Sequence, residues 1–249
     1  MYNYIAQTIS GTKKKINEDR IFINGHILAD GEYAGSADRI TAIVCDGVGG
    51  EHGGEYAASI ATSDCLAFDS DLISSSALIR HLINTNEDIL RLQDDYYYFR
   101  NMSATIAGLC IAGDACWFFN LGDTRVYKYS DGVLSVLSTD HTLAAQMLKD
   151  GVISSMDEAR KSEKNTLTKY LGGRGSISRP VVKSHKVTPK DTLFIVCSDG
   201  IYKSFKDLTD FQRMLESASD IRSKKEAIMQ HSLHNGTADD KSIVIVSVQ

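Results

Sequence analysis

The sequence predicts an α+β fold in which helices cover the outer faces of antiparallel sheets. Two observations carry this prediction: two hairpin patterns lie in the middle of the chain, and a pair of helical segments lies on each side of them. The 249 residues contain no internal repeat and no linker-like stretch rich in Pro, Gly or Ser. We therefore expect a single domain spanning residues 1–249.

A buried strand and two helices are predicted before the hairpins. Residues 40–45 form a short apolar run typical of a buried strand. Apolar residues then recur with helical spacing over 57–61 and 78–92, and the serines at 74–76 are candidate N-caps of the second helix.

The two hairpins follow, and the chain then returns to helices. Strands 105–111 and 116–121 flank the turn Ala112-Gly113-Asp114, and strands 125–129 and 133–137 flank Ser130-Asp131-Gly132. The stretch 143–171 is polar, and we expect it to be helical, with breaks at Gly151 and Gly172-Gly173. The remaining predicted elements are strands at 181–187 and 193–197, helices near 208–215 and 224–233, and a last buried strand at 243–248.

Composition excludes several classes of protein. There are 27 basic and 32 acidic residues, a net charge of −5, which argues against a nucleic-acid or anionic-membrane partner. No apolar run approaches the roughly 20 residues of a membrane-spanning helix, and Met1–Tyr4 lacks the basic start of a signal peptide. The five cysteines form no CxxC pair and lie mostly in apolar runs, so we expect reduced core thiols. We expect a monomeric, cytoplasmic protein.

Aspartates stand at the ends of several predicted strands. Asp46 follows one apolar run directly, Asp199 follows another almost directly, and Asp123, Asp239 and Asp19 stand beside three more. Any single Asp-Gly pair is explained by turn formation. Carboxylates that converge on one site, however, repel each other unless cations neutralise them, and all-oxygen ligands select Mg²⁺ or Mn²⁺. The pattern therefore indicates a metal site.

A glycine-rich loop supports this interpretation. Residues 46–54 contain five glycines between a predicted strand and a predicted helix, where glycine lets the backbone approach an ion or a phosphate closely. The loop is not a P-loop, because no Lys-Ser or Lys-Thr follows it.

Seven motifs, in order from about residue 8 to 248, resemble those of the metal-dependent protein phosphatases of the type-2C (PPM) class, particularly the compact bacterial serine/threonine phosphatases. They are Asn17-Glu18-Asp19-Arg20, Val44–Gly50, Ser103-Ala104-Thr105, Asn120–Tyr127, Thr139–Thr142 together with Asn165–Thr168 and Leu171-Gly172, Cys197–Ile201, and Asp239–Val244. The resemblance implies a four-layer α-β-β-α sandwich of two antiparallel sheets flanked by helical pairs, with a flap at about 143–175.

The resemblance also implies a site. Asp46, Asp199 and Asp239 would hold one Mn²⁺ or Mg²⁺ ion, and Asp19, Asp46 and the Gly47 carbonyl a second, so that Asp46 bridges the two. Asp123 with Asp199 would hold a third, weaker ion, and Glu18 would act through water. The reaction implied is hydrolysis of phosphoserine and phosphothreonine in protein substrates of a serine/threonine kinase, by direct attack of a water activated between two ions.

Three positions depart from the family pattern. Val48 stands where some eukaryotic members have a histidine; His52 in the same loop is our candidate general acid, with a water on the third ion as the alternative, and we interpret His141 as structural. Asp240 replaces the usual asparagine. Lys14 stands where the family has a phosphate-binding arginine, and it is either a point-charge phosphate ligand or part of a solvated basic run with its two lysine neighbours.

Three alternatives to a general protein phosphatase stay open at this level. Asp-Asp at 239–240 is common in the related phosphatases of sigma-factor pathways, which act on a phosphorylated anti-sigma antagonist. A second alternative is a catalytically weak pseudophosphatase that binds phosphoproteins, although this sequence retains every expected metal aspartate. A third is a hydrolase of small phosphate esters.

Overall fold

Two antiparallel six-stranded sheets stack face to face, and a pair of helices covers the outer face of each. The computed structural model describes residues 1–48, 53–67, 74–155, 166–175, 180–187 and 192–248. Its strands are β1 Tyr2–Ile9, β2 Arg20–Ile23, β3 His26–Leu28, β4 Gly31–Ala37, β5 Arg39–Val48, β6 Ser103–Ala112, β7 Ala115–Leu121, β8 Arg125–Ser130, β9 Val133–Val136, β10 Val182–Lys186, β11 Leu193–Cys197 and β12 Lys241–Val248. Its α-helices, within the described residues, are α1 Gly54–Asp64, α2 Ser75–Asp95, α3 Leu143–Lys149, α4 Asp199–Tyr202, α5 Leu208–Glu216 and α6 Ile221–Asn235.

The strand order is β4-β1-β12-β11-β8-β9 in the first sheet and β10-β7-β6-β5-β2-β3 in the second. In the first sheet β1 pairs with β12, so that Tyr2 lies opposite Val248. In the second, β5 and β6 form the longest ladder, which runs from Arg39 opposite Ala112 to Val48 opposite Ser103. The predicted antiparallel sandwich and both predicted hairpins are confirmed.

The central strands are buried on both faces. In β5, Ala42 and Val44 point into the layer between the sheets, whereas Ile43 and Cys45 point toward α1 and α2. This two-residue period is the pleat of a strand, and burial on both sides makes such a strand read as an uninterrupted apolar run. It explains why the sequence pattern located β5, β11 and β12.

The predicted helical pairs are confirmed. Helix α1 presents a face of small residues to the second sheet, and α2 begins at the predicted cap, where the Ser74 hydroxyl accepts a hydrogen bond from the Ala77 backbone N–H at 3.2 Å. On the other side, α5 and α6 pack Phe211 and Ile228 against the first sheet. The fold is therefore the four-layer α-β-β-α sandwich.

The stretch after the second hairpin differs from the prediction. Helix α3 ends at Lys149, and Gly151 follows with a φ of 71°, a left-handed conformation that glycine adopts without strain. Residues 166–171 are not helical, because Leu167 pairs with Thr142 and Leu171 pairs with Ala104 in isolated β-bridges. The expectation of a helix was wrong there, residues 156–165 lie outside the described part, and the flap boundaries stay a prediction.

All five cysteines are buried and free, as expected for core thiols. None of the helices in the described part of the chain is long and apolar enough to cross a membrane.

Candidate metal and phosphate site

A cleft of about 600 Å³ opens at one end of the sandwich, where strands of both sheets begin or end. Asp46 and Gly47 come from the end of β5, and Asp123 follows β7, both in the second sheet. Asp199 follows β11 and Asp239 precedes β12, both in the first sheet. The cleft is lined by Lys14, Glu18, Asp46, Gly47, Val48, Ser103, Asp123, Thr166, Leu167, Tyr170, Asp199, Lys203 and Asp239.

Two glycines let β5 and α1 meet beside the cleft. A Cβ on Gly47 would lie 2.3 Å from the carbonyl group of Gly54, and one on Gly54 would lie 2.7 Å from the carbonyl carbon of Gly47. Real Cβ atoms do not approach other atoms so closely, so only glycine fits at either position. The glycine-rich pattern therefore reflects, at these two positions, direct backbone packing at the edge of the cleft.

Asp19 lies behind the cleft wall and is buried. Its carboxylate accepts a hydrogen bond from the Ser198 hydroxyl at 2.8 Å, and that hydroxyl in turn accepts one from the Ser242 backbone N–H at 3.1 Å. Burial raises the pKa of Asp19, hydrogen bonds from Ser242 and Ser198 lower it, and the charges of Asp240 and Asp199 raise it; together they bring it to about 7. A cation beside Asp19 would favour its charged form.

Asp46 lies at the electrostatic centre of the cluster. Burial and then the charges of four aspartates raise its pKa well above the ordinary value, and those four are Asp19, Asp199, Asp239 and Asp123. Burial and Asp199 raise the pKa of Asp123 as well, while Lys203 lowers it. The structure therefore brings together the five aspartates that the sequence singled out, in an environment that disfavours their charges.

Two lysine ammonium groups lie among these carboxylates. Nζ of Lys14 is 2.6 Å from Oε2 of Glu18 and 2.9 Å from Oδ1 of Asp239. Nζ of Lys203 is 2.5 Å from Oδ2 of Asp199 and 3.5 Å from Oδ2 of Asp123. Burial lowers the pKa of each lysine, but these carboxylates raise it by more, so both stay charged.

The donor set fits hard divalent cations by its chemistry. Five carboxylates line the cleft, and Asp19 and Asp240 lie buried behind it, so seven negative charges face two lysines, a formal charge of −5. The five are Glu18, Asp46, Asp123, Asp199 and Asp239. Carboxylate and carbonyl oxygens are the ligands that Mg²⁺ and Mn²⁺ prefer. As positioned, no three His, Cys, Asp or Glu side chains of the described residues stand at ligand distance from one point. Mg²⁺ commonly keeps several water ligands and is held by only one or two carboxylates, so an ion in this cleft would take much of its ligand shell from water.

Asp240 lies beyond the cleft lining and is buried. Its two carboxylate oxygens accept hydrogen bonds from the backbone N–H groups of Gly11, at 2.7 Å, and Glu18, at 2.8 Å. It therefore fixes the loop that carries Lys14, Glu18 and Asp19. Asp239 thus lines the cleft, whereas Asp240 lies beneath it and binds the backbone of the loop.

The sequence analysis singled out two histidines, His141 and His52. The backbone N–H of Gly122 donates to Nδ1 of His141 at 3.3 Å, and burial lowers the pKa of His141 to about 4, which keeps the ring neutral. These contacts agree with a structural role beside Asp123. Val48 lines the cleft where the eukaryotic histidine would stand, and His52 lies outside the described residues.

Sequence reasoning missed two groups of cleft residues. Lys203 lies four residues after Asp199, the spacing of a helical ion pair, but α4 is too short to give a periodic pattern. Tyr202 was missed as well; its ring stacks under the Arg125 guanidinium, with 3.8 Å from Cζ to the ring centroid. Thr166, Leu167 and Tyr170 also line the cleft. The first two belong to the family motif Asn165–Thr168, but the sequence analysis assigned none of the three to the site.

Comparison with known proteins defines the class. A family model described as "Protein phosphatase 2C" matches residues 32–236. The serine/threonine phosphatase stp of Listeria monocytogenes is 26% identical over 223 residues, 87% of each chain. The structure of the Streptococcus agalactiae serine/threonine phosphatase superimposes with a TM-score of 0.84 at 22% identity and full coverage of both chains. The catalytic domain of the phosphatase PstP, solved in complex with two manganese ions, gives a TM-score of 0.82 at 21% identity, also over both complete chains.

The chain therefore belongs to the protein phosphatase 2C family. The relatives it matches are named serine/threonine phosphatases and protein phosphatases, so within that family it is a protein phosphatase of the serine/threonine type.

Proposed function

We propose that this phosphatase hydrolyses phosphoserine and phosphothreonine with two divalent cations, Mn²⁺ or Mg²⁺, held by the carboxylate cluster. The observation that carries the proposal is the excess of carboxylates over lysines around the cleft, a formal charge of −5, of which two divalent cations would balance four. When bound, such ions would lower the pKa of a water molecule and so supply the nucleophile near neutral pH.

The proposal gives roles to the residues that would hold the ions. Asp46, Asp199 and Asp239 would hold one ion, and Asp19, Asp46 and the Gly47 carbonyl would hold the other. Glu18 acts through water and holds Lys14 in place. The Ser198 hydroxyl orients the Asp19 carboxylate. His52 is the candidate donor of a proton to the leaving serine or threonine oxygen.

The direct test is hydrolysis of a phosphothreonine peptide by the purified protein. We expect phosphate release with added Mn²⁺ or Mg²⁺, loss of activity in EDTA, and recovery when the ion is restored in excess. A phosphotyrosine peptide of the same sequence and p-nitrophenyl phosphate serve as controls for substrate class. Full activity in EDTA would contradict the two-ion proposal, and binding of the peptide without phosphate release would indicate a pseudophosphatase.

Lys14 gives a second test, because its ammonium group lies in the cleft beside Asp239. We expect Lys14→Ala to raise KM several-fold, equivalent to about 1–2 kcal/mol for one charge-assisted hydrogen bond, and to lower kcat less. Lys14→Arg should keep or lower KM, because a guanidinium can bind phosphate with two parallel hydrogen bonds.

Lys13 and Lys15 are the matched controls for Lys14, since both are exposed neighbours of the same charge. Their alanine variants should match the wild type in KM and in inhibition by inorganic phosphate. An unchanged KM in Lys14→Ala together with a raised KM in either control would assign the phosphate contact to the neighbour.

We propose that the enzyme is cytoplasmic and acts as a monomer. Its substrates would be proteins phosphorylated by a serine/threonine kinase. Its buried free thiols are compatible with a reducing compartment.

A further inference from the structure

Lys203 occupies the space between two carboxylates that the sequence analysis assigned to a third cation. Its ammonium group contacts Oδ2 of Asp199, which follows β11, and Oδ2 of Asp123, which lies in the loop from β7 of the second sheet to β8 of the first. The side chain is 28% exposed, so the charge is only partly screened by water. A divalent ion between the same two oxygens would have to displace this ammonium or stand beside it, where the like charges repel each other.

The backbone that carries Lys203 is held from two sides. Tyr202, the residue before it, lies under the Arg125 guanidinium, and Arg125 is fixed by two hydrogen bonds to Asp140, at 2.9 and 2.6 Å. On the other side, a Cβ on Gly200 would lie only 1.9 Å from the Asp240 carbonyl oxygen, so α4 is in backbone contact with the start of β12. The backbone of Lys203 is therefore held in place, and its side chain brings the ammonium group to both carboxylates.

Asp199 can serve both a lysine and an ion. The lysine takes Oδ2, and the other oxygen of the same carboxylate stays available to the cleft. Asp123, by contrast, has Oδ2 within reach of both the Lys203 ammonium at 3.5 Å and the Tyr202 hydroxyl at 3.4 Å. Asp123 is thus arranged as the counter-ion of a lysine and the acceptor of a tyrosine.

We propose that Lys203 replaces the third cation, so that this enzyme works with two divalent ions and a built-in positive charge at the Asp123–Asp199 pair. The inference rests on the proposed two-ion site and goes beyond it by fixing the number of ions. Lys203 is a positioning residue: it orients Asp199 for the ion that Asp199 shares with Asp46 and Asp239.

The test is the number of Mn²⁺ ions bound, measured by isothermal titration calorimetry and by electron paramagnetic resonance of free Mn²⁺. We expect two ions in the wild type and in Lys203→Arg, which keeps the charge. Lys203→Met should bind a third ion, and Lys203→Met combined with Asp123→Asn should return to two. Lys206→Met is the matched control, because Lys206 is an exposed lysine on the same stretch of chain; it should bind two ions.

Three results would overturn the inference. Three ions in the wild type would show that Lys203 does not exclude the third, while leaving the two-ion function intact. Two ions in a folded Lys203→Met, checked by its thermal melt, would show that the lysine is not what limits the number. Binding of no ion by the wild type would refute both the inference and the proposed function, whereas the first two results would refute the inference alone.

Discussion

We expect Asp46→Asn to lower kcat/KM for a phosphothreonine peptide at saturating Mn²⁺ by about a thousandfold or more. The change is isosteric but removes a charge from the position where the fields of four other aspartates meet. A catalytic ion contributes several kcal/mol of transition-state stabilisation, and each 1.36 kcal/mol corresponds to about tenfold in rate. Loss of the ligand shared by both ions should remove most of that stabilisation.

Asp131→Asn is the matched control for Asp46→Asn. It makes the same chemical change at the exposed turn between β8 and β9, where the φ of 53° suits asparagine as well as aspartate. We expect its activity to equal that of the wild type. A folded Asp46→Asn protein that keeps a tenth of wild-type kcat/KM would rule out the shared-ligand role.

The second large effect concerns stability without metal. Burial holds the pKa of Asp19 at about 7 in the fold, against 3.8 ordinarily, so the unfolded chain releases this proton more readily than the folded one. Below about pH 4, titration of Asp19 leaves the free energy of unfolding unchanged. As the pH rises to about 7, it lowers the free energy of unfolding increasingly. At about pH 8 the full difference corresponds to roughly 4 kcal/mol.

Asp19→Asn should therefore raise the free energy of unfolding in EDTA at about pH 8, by up to roughly 4 kcal/mol, and change it little at about pH 4. The amide oxygen can still accept the Ser198 hydrogen bond. Urea denaturation at both pH values measures this, with Asp131→Asn as control. Adding Mn²⁺ should stabilise the wild type and much less the variant, since ligand binding stabilises only a fold that binds it. A variant less stable than the wild type at high pH in EDTA would contradict this account.

In the metal-free protein, the carboxylates of the proposed metal site lower the stability of the folded state. The acidic residues that the proposed chemistry needs are the ones whose charges the metal-free protein tolerates least. Binding of cations would then supply part of the stability of the active enzyme.

Sequence reasoning succeeded where strands are buried on both faces. The runs before Asp46 and Asp199 are uninterrupted and apolar, which located β5 and β11 and, with them, the cleft. Strands β1 and β4 were missed for opposite reasons. Residues Tyr2–Ile9 mix polar and apolar side chains, and Gly31–Ala37 consists mainly of small residues, so that β4 is defined by its pairing with β1 rather than by its own pattern.

The sequence predicted the carboxylates of the site but not the contacts that they make. Their positions at strand ends are local properties of the sequence. The Lys203–Asp123 contact joins residues 80 positions apart, and the Asp240 contact with Gly11 joins residues 229 apart. Such contacts depend on how the two sheets stack, which no local pattern contains.

The distribution of the carboxylates over two sheets has a consequence for natural variation. No hydrogen-bond ladder connects β5, which carries Asp46, to β12, which follows Asp239, because the two strands belong to different sheets. Side-chain volume in the apolar layer between them, with Val44 on one side and Val244 on the other, sets their separation instead. Substitutions that thicken or thin this layer would alter the affinity for cations while leaving every ligand in place. Substitutions under α5 and α6 would act first on folding, so two sets of equally apolar residues should diverge at different rates.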